Sequence, residues 1–188
     1  DRLQRHESKQ YRDLVWSVCF LHSVVQERRK FGSVGWCIPY EFNIADLSAS
    51  LDFIAKHCED RDGKPLSWPT IQYMISNVQY GGRITDDLDR RLFETFGEKW
   101  LREELFKPDF VFAAGVGKFK YMVPACEDVK QYQKFVSELP EDTPELFGLH
   151  GNAEFLYGSN EARNLFDTIA DTQPKESGGA VRADGKTY

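Results

Sequence analysis

The stretch Tyr80-Gly81-Gly82-Arg83-Ile84-Thr85-Asp86-Asp87-Leu88-Asp89-Arg90-Arg91 joins the two best helical patterns in the chain, and its reading sets the fold class. The Gly81-Gly82 pair allows positive φ, so the preceding helix is expected to end there in a left-handed turn. Thr85 then reads as the cap of the next helix, with Asp86 and Asp87 in its first turn, where carboxylates offset the positive end of the helix dipole. Gly81, Gly82, Thr85 and Asp86 are therefore a structural hinge and cap. The same carboxylates would repel a phosphate, which argues against an anion cradle at this turn.

Helical periodicity extends in both directions. Downstream, Leu88, Leu92, Phe96 and Trp100 recur every four residues over about 86–106, and Lys107-Pro108-Asp109 stops the pattern. Upstream, Ser67 is expected to cap a helix with Pro69 in its first turn and with Trp68, Ile71, Met74, Ile75 and Val78 inward. Before it, Asn43 and Asp46 form a capping box, Phe42 and Leu47 a hydrophobic staple, and Leu47, Leu51, Ile54 and Cys58 an apolar stripe. The longest helix is expected from about Lys9 to Phe31, with one stripe through Tyr11, Leu14, Val18 and Val25 and a second through Trp16, Phe20 and Val24. Apolar on two sides, it should be buried on two sides. Its basic end, Arg28-Arg29-Lys30, suits the negative pole of the dipole, with Gly32 as C-cap.

The remainder is mostly helical as well. Phe110 to Val123 changes to a period near two and is the one hairpin candidate. Helices are expected over about 127–139, as a single turn at 143–148, and over about 159–172, the last burying Ala162, Leu165, Phe166 and Ile169. The fold class is mainly α, a multi-helix bundle with one small β-hairpin. Residues 1–8 read as a polar lead, 9–172 as the helical domain, and 173–188 as a flexible linker or tail.

The chain has 188 residues and a formal net charge of −6, with 41% hydrophobic residues, enough for a substantial core. The acidic balance gives a nucleic-acid partner no electrostatic basis beyond the short Arg28-Arg29-Lys30 run. No apolar run suits a membrane span. Cys19, Cys37, Cys58 and Cys126 are scattered and read as reduced core residues of an intracellular protein. The polar start without Met suggests a piece of something larger.

No catalytic, cofactor-binding or metal-ligating residues stand out, and no cofactor is implied. His22 lies within the apolar stripe and reads as a packed neutral imidazole. The Gly-Lys-Thr ending at Gly185-Lys186-Thr187 lacks both the spacing and the strand–helix context of a phosphate loop. The Asp86-Asp87-Leu88-Asp89 cluster could hold Mg²⁺ in an all-α enzyme, but its carboxylates point to different sides of a helix and Arg90 and Arg91 stand beside them. The aromatic loop Gly35-Trp36-Cys37-Ile38-Pro39-Tyr40-Glu41-Phe42 needs something to lie against, either this chain's own helices or a neighbour.

Three longer stretches carry a resemblance: His22 to Gly32 running into Gly35 to Asn43; Tyr80 to Arg91; and Pro144 to Ala153. Together they resemble dynein heavy chains, in the helical lid that follows the sixth AAA module of the motor ring, over about residues 11–173. The Trp36-Cys37-Ile38-Pro39-Tyr40 wording leans toward the ciliary type. Ser177-Gly178-Gly179 is similar to the start of the linker to the C-terminal domain, whereas the residues after it are not similar to that domain. The resemblance implies a AAA+ lid fold and a structural, force-transmitting role without nucleotide binding of its own, in an ATP-driven microtubule motor whose catalytic sites lie elsewhere. It implies the sixth and first large subdomains and the C-terminal domain as neighbours, and microtubules and dynein intermediate and light chains as partners of the parent. The implied location is the cytoplasm and cytoskeleton, in a ciliary or flagellar axoneme. Arg28, Arg29, Trp36, Tyr40, Phe42 and Arg83 become candidate contact residues between modules, with internal packing or a solvated helix end as the alternative for each. The competing reading is a stand-alone helical adaptor, or a Mg-dependent all-α enzyme using the Asp86-Asp87 cluster.

Overall fold

The computed structural model describes residues 8–61 and 64–173. The expected lead at 1–7, the turn residues Asp62 and Gly63, and the tail at 174–188, with Ser177-Gly178-Gly179 and the Gly185-Lys186-Thr187 ending, lie outside the described residues. The chain divides into two compact units, one ending at Tyr157 and one beginning at Gly158.

In the first unit, helix α1 (Lys9–Glu27) is capped by Ser8, whose side chain accepts from the Tyr11 amide. Its first stripe is fully buried, through Tyr11, Leu14, Val18 and Val25, whereas Trp16 and Phe20 on the second side are only half-buried. The helix tightens at Arg28, its C-cap in place of the expected Gly32, into a 3-10 segment, Arg28–Val34, which is kinked at Gly32 with φ 57° and ψ −135°. Helix α2 (Ile44–Asp60) begins with the full Asn43/Asp46 capping box and packs on α1.

Helix α3 (Trp68–Tyr73) runs directly into a π-helical segment, Met74–Gln79, in which the Tyr80 amide bonds the Ile75 carbonyl five residues back at 3.1 Å. The wider turn rotates the face. Val78, three residues after Ile75, is exposed, and Tyr80 is buried in its place. A period of 3.6 could not anticipate that shift.

The hinge also differs from the sequence expectation. Neither Gly81 nor Gly82 has positive φ; the two residues form a 3-10 turn with Arg83. Gly81 is needed for proximity instead, because a Cβ there would lie 2.1 Å from the Ser76 carbonyl oxygen, while Gly82 faces open space. Ser76 is approached from the other side by Gly97, where a Cβ would lie 2.0 Å from its Oγ. Gly97 lets the π-turn pack closely on helix α4 (Asp87–Trp100), and Gly81 lets the 3-10 turn close against the π-turn itself. Asp86, not Thr85, is the cap of α4: its carboxylate accepts from the Leu88 and Asp89 amides at 2.9 and 3.1 Å. Starting the helix one residue later leaves Leu88 exposed, and the inward face runs through Asp89, Phe93, Phe96 and Trp100. The helix stops at Trp100, before the 3-10 turn Glu103–Phe106.

The hairpin forms as strands β1 (Ala113–Ala114) and β2 (Lys120–Tyr121), antiparallel, with Ala113 opposite Tyr121. Helix α5 (Val129–Ser137), capped by Asp128, buries Tyr132 but exposes Val136. The single turn Pro144–Phe147 is 3-10 and ends at Gly148 with φ 67°. Helix α6 (Asn152–Thr172) starts earlier than expected. Ala162, Leu165, Phe166 and Ile169, read as buried, are all exposed, and the last core residues among those described are Ala153 and Tyr157. An amphipathic pattern marks a face suited to burial without naming what covers it.

Gly81→Ala should destabilise by about 1–3 kcal/mol through overpacking against Ser76, and Gly82→Ala should stay within about 0.5 kcal/mol of the parent. Chemical denaturation of the two variants distinguishes this from a positive-φ hinge, in which both would lose stability.

Candidate functional site

The loop from Gly35 to Phe42 forms no strand or helix; local backbone bonds satisfy the Gly35, Trp36 and Tyr40 amides, and other polar groups take side-chain partners from outside. Three neighbours supply them. The Arg28 guanidinium donates through Nε and Nη2 to the Gly35 carbonyl, at 3.1 and 2.7 Å, and through Nη1 to the Phe147 carbonyl. The Asp89 carboxylate accepts from the Cys37 amide at 3.0 Å and the Ile38 amide at 3.4 Å. Gln26 Nε2 donates to the Phe42 carbonyl at 2.9 Å.

The side chains are fixed by the same elements. Trp36 Nε1 donates to the Val25 carbonyl at 3.0 Å, and the Tyr40 hydroxyl accepts from the Asp86 amide at 3.1 Å. Trp36, Tyr40 and Phe42 form a mutual aromatic cluster, with centroids 5.7–5.9 Å apart, that continues through Phe42 to Tyr80 and Phe93. Of the two readings left open by the sequence, this loop takes the inner one. Trp36, Tyr40 and Phe42 are covered by this chain's own helices.

Arg28 is likewise inside. It is 2% exposed, lies 5.1 Å over the Trp36 ring and 5.6 Å over the Phe96 ring, and has its pKa pushed down to about 10 by burial, against the opposing pull of Asp89. Gly35 is required at this junction, because a Cβ would lie 1.8 Å from the Arg28 carbonyl oxygen. The candidates left on the surface are Arg29, which edges two small clefts of about 270 and 240 Å³, and Arg83, which pairs with Asp46 at 2.7 Å.

Sequence reading chose the inward members of this segment and missed its outward ones. Val34, Ile38 and Ile44 are exposed, Ile44 at 70%. A period of two would put Ile38 and Ile44 on the same side as Trp36, Tyr40 and Phe42, so local spacing carried no signal for them. Asp89 was missed as a structural acceptor; its place three residues after the cap, on the inward face of α4, was the available signal.

Cys37, Asp86 and Asp89 each place a possible ligand atom within 4.8 Å of the others. Both carboxylates are already committed to backbone amides, and the exposed Cys37 thiol is held protonated, first by its hydrogen bond to Asp89. Asp87 is exposed and does not converge with them. An apolar groove of about 300 Å³ lies along the second side of α1, between Trp16, Phe20, Val136 and Leu139. Glu27 and Asp142 at its rim both pair with Lys30, at 3.4 and 2.5 Å. A larger polar cleft of about 480 Å³ is lined by Trp68, Phe106, Arg61, Lys64 and Glu103.

His22 is buried, with Nδ1 2.9 Å from the Tyr80 hydroxyl, and its pKa is lowered by burial more than the nearby Asp46 raises it. His57 is shifted the same way, also by burial first.

Residues 11–153 match the family model described as the dynein heavy chain AAA lid domain. The chain is 51% identical over 173 residues to dynein axonemal heavy chain 8 of Mus musculus, covering 91% of this chain. It is 40% identical over 185 residues to the dynein gamma chain of the flagellar outer arm of Chlamydomonas reinhardtii, covering 95% of this chain. Identity to dynein axonemal heavy chain 17 of Homo sapiens is 36% over 169 residues, or 89% of this chain. In each case the match spans about 4% of the relative's own length.

Arg28→Met should cost about 3 kcal/mol or more, because the Gly35 and Phe147 carbonyls lose their donor inside the core. Arg28→Lys should not restore it, since one ammonium cannot reproduce the fork. Denaturation midpoints of both variants test this, and a fully stable lysine variant would refute the bridging role. For pH, a lowered folded-state pKa leaves both histidines neutral in both states above about 6.5. Below that, the unfolded chain takes up protons first, so stability is lost as pH falls toward the folded pKa, by up to about 1.4 kcal/mol per pH unit for each group. His22→Gln should flatten the acid side of a stability–pH curve; an unchanged profile would exclude His22 as a contributor.

Proposed function

The chain belongs to the family of dynein heavy chain AAA lid domains, and from that premise we propose that it is the lid of the sixth AAA module of an axonemal heavy chain, a structural element that transmits force without binding nucleotide itself. The observation that carries this reading is the clamped aromatic loop. A loop held at Gly35 by Arg28 and at Cys37, Ile38 and Phe42 by side chains of α4 and α1, with its rings packed on those helices, moves with them as one piece. Such a body passes on a displacement applied at one surface instead of absorbing it. The outward residues Val34, Ile38 and Ile44, with Arg29 near them in sequence and Arg83 paired to Asp46, two residues after Ile44, are the natural contact surface toward the large subdomains of the sixth and first modules and toward the C-terminal domain.

On this reading the parent is an ATP-driven, microtubule-stimulated motor that works with dynein intermediate and light chains, its catalytic sites outside this segment, in the cytoskeleton of a cilium or flagellum. The competing enzyme reading requires a pocket with converging, uncommitted polar groups. The groove beside α1 is apolar, and the Asp86 and Asp89 carboxylates are occupied by amides, which favours the mechanical reading.

Two measurements test it together. Ile44→Glu should leave the stability of this chain within about 0.5 kcal/mol of the parent but lower the microtubule-stimulated ATPase rate when introduced into a full axonemal heavy chain. ATP with Mg²⁺ should leave the melting temperature of the isolated chain unchanged, whereas specific binding at a hundredfold excess over Kd would add about 2.7 kcal/mol. A clear nucleotide-dependent upshift, or an Ile44→Glu motor with full coupling, would count against the proposal.

A further inference from the structure

The second side of α1 is left open within the first unit. Trp16 and Phe20 form one wall of the apolar groove, and Leu139 with Val136, itself 52% exposed, forms the other. Cys19 also lines it and adds no charge, because burial pushes its thiol up to about 11. From Trp16 to Glu27 the groove follows α1 for about three turns, on the order of 16 Å. Its volume of about 300 Å³ is at the lower limit of pockets that enclose a whole small molecule. A long, shallow trough of this kind suits side chains sent in from a backbone that lies along it.

Charge selects what lies there. Glu27 and Asp142 are both lining residues, and among the described residues no lysine or arginine lines the groove. The Lys30 ammonium pairs with both carboxylates, at 3.4 and 2.5 Å, so one cation answers two anions and one negative charge is left over. The other bases nearby in sequence do not answer it: Lys134 is taken by Glu138 at 3.8 Å, and Arg29 lines the two smaller clefts and not this one. An apolar trough with an uncompensated carboxylate along it fits an apolar side chain with a cation beyond, and it repels an anionic lipid surface. Phe20 and Glu27 are about two helical turns apart, so a facing helix would carry its apolar and basic residues about two turns apart as well.

We propose that the groove between α1 and α5 docks a basic amphipathic helix of a protein partner, with a leucine or phenylalanine held between Phe20 and Val136 and a lysine or arginine two turns away at Glu27 and Asp142. The docking rests on the groove alone and is independent of the force-transmitting reading.

The test uses the whole 188-residue chain and two fluorescently labelled helical peptides that carry one leucine and, two turns on, lysine in one and glutamate in the other. By anisotropy the lysine peptide should bind about tenfold tighter at low salt, with the gap closing as salt rises. Val136→Arg, on the exposed wall, should abolish binding of both peptides while leaving the melting temperature unchanged. Asp142→Asn, which leaves Lys30 balanced by Glu27, should bring the two affinities to within about twofold. Equal affinity of the parent for both peptides, binding of neither, or lysine-peptide binding that survives Val136→Arg would overturn the proposal. So would a dimer of the chain alone that dissociates in Val136→Arg, which assigns the groove to a second copy. None of these outcomes depends on the nucleotide melting result.

Discussion

The first unit depends on a cation held inside it without a carboxylate in direct contact. Arg28 leaves the last turn of α1 as the helix tightens, and its planar fork reaches two carbonyls, that of Gly35 seven residues on and that of Phe147, 119 residues on. Burying a guanidinium is costly unless its donors are used and its charge is met. Here carbonyl dipoles, the faces of Trp36 and Phe96, and the nearby Asp89 together meet it. The residue thereby ties the end of α1, the aromatic loop, α4 and the Pro144–Phe147 turn at one point.

Asp89 does the same work from the opposite side with the opposite charge. Its carboxylate is spent on the Cys37 and Ile38 amides, just as Asp86 is spent on the first turn of α4. An acid-rich helix start that could pass for a cation site is thus a device for holding irregular backbone. Buried amides without strand partners need acceptors, and a carboxylate can accept several at once. With the loop's polar groups satisfied from within, its outward side chains are free to face a neighbour, which is the basis for reading this surface as mechanical.

How far the sequence carried the fold follows from which forces are local. The Asn43/Asp46 capping box, the 3-10 turn with Gly148 behind it, the hairpin at 113–121 and the first stripe of α1 were all legible, because capping, turn chemistry and amphipathic period act within a few residues. The site was half legible: the aromatic loop stood out as needing a partner, and the neighbours that hold it did not.

What the sequence determined alone was the helical class, the order of its elements and, through long matching strings, the family. Tertiary structure decided the rest. The π-turn at Met74–Gln79 carried Tyr80 inward in place of Val78, and Gly81 proved to serve close approach to Ser76 instead of a left-handed turn. Arg28, read as a surface end of a helix, became the centre of the core, while the α6 stripe, read as buried, stayed bare. For Arg28 the deciding atoms lie up to 119 residues away, and at the π-turn and Gly81 they lie within five but depend on a turn that a regular helical period does not record; local spacing tells which face of an element is apolar but not what stands opposite it.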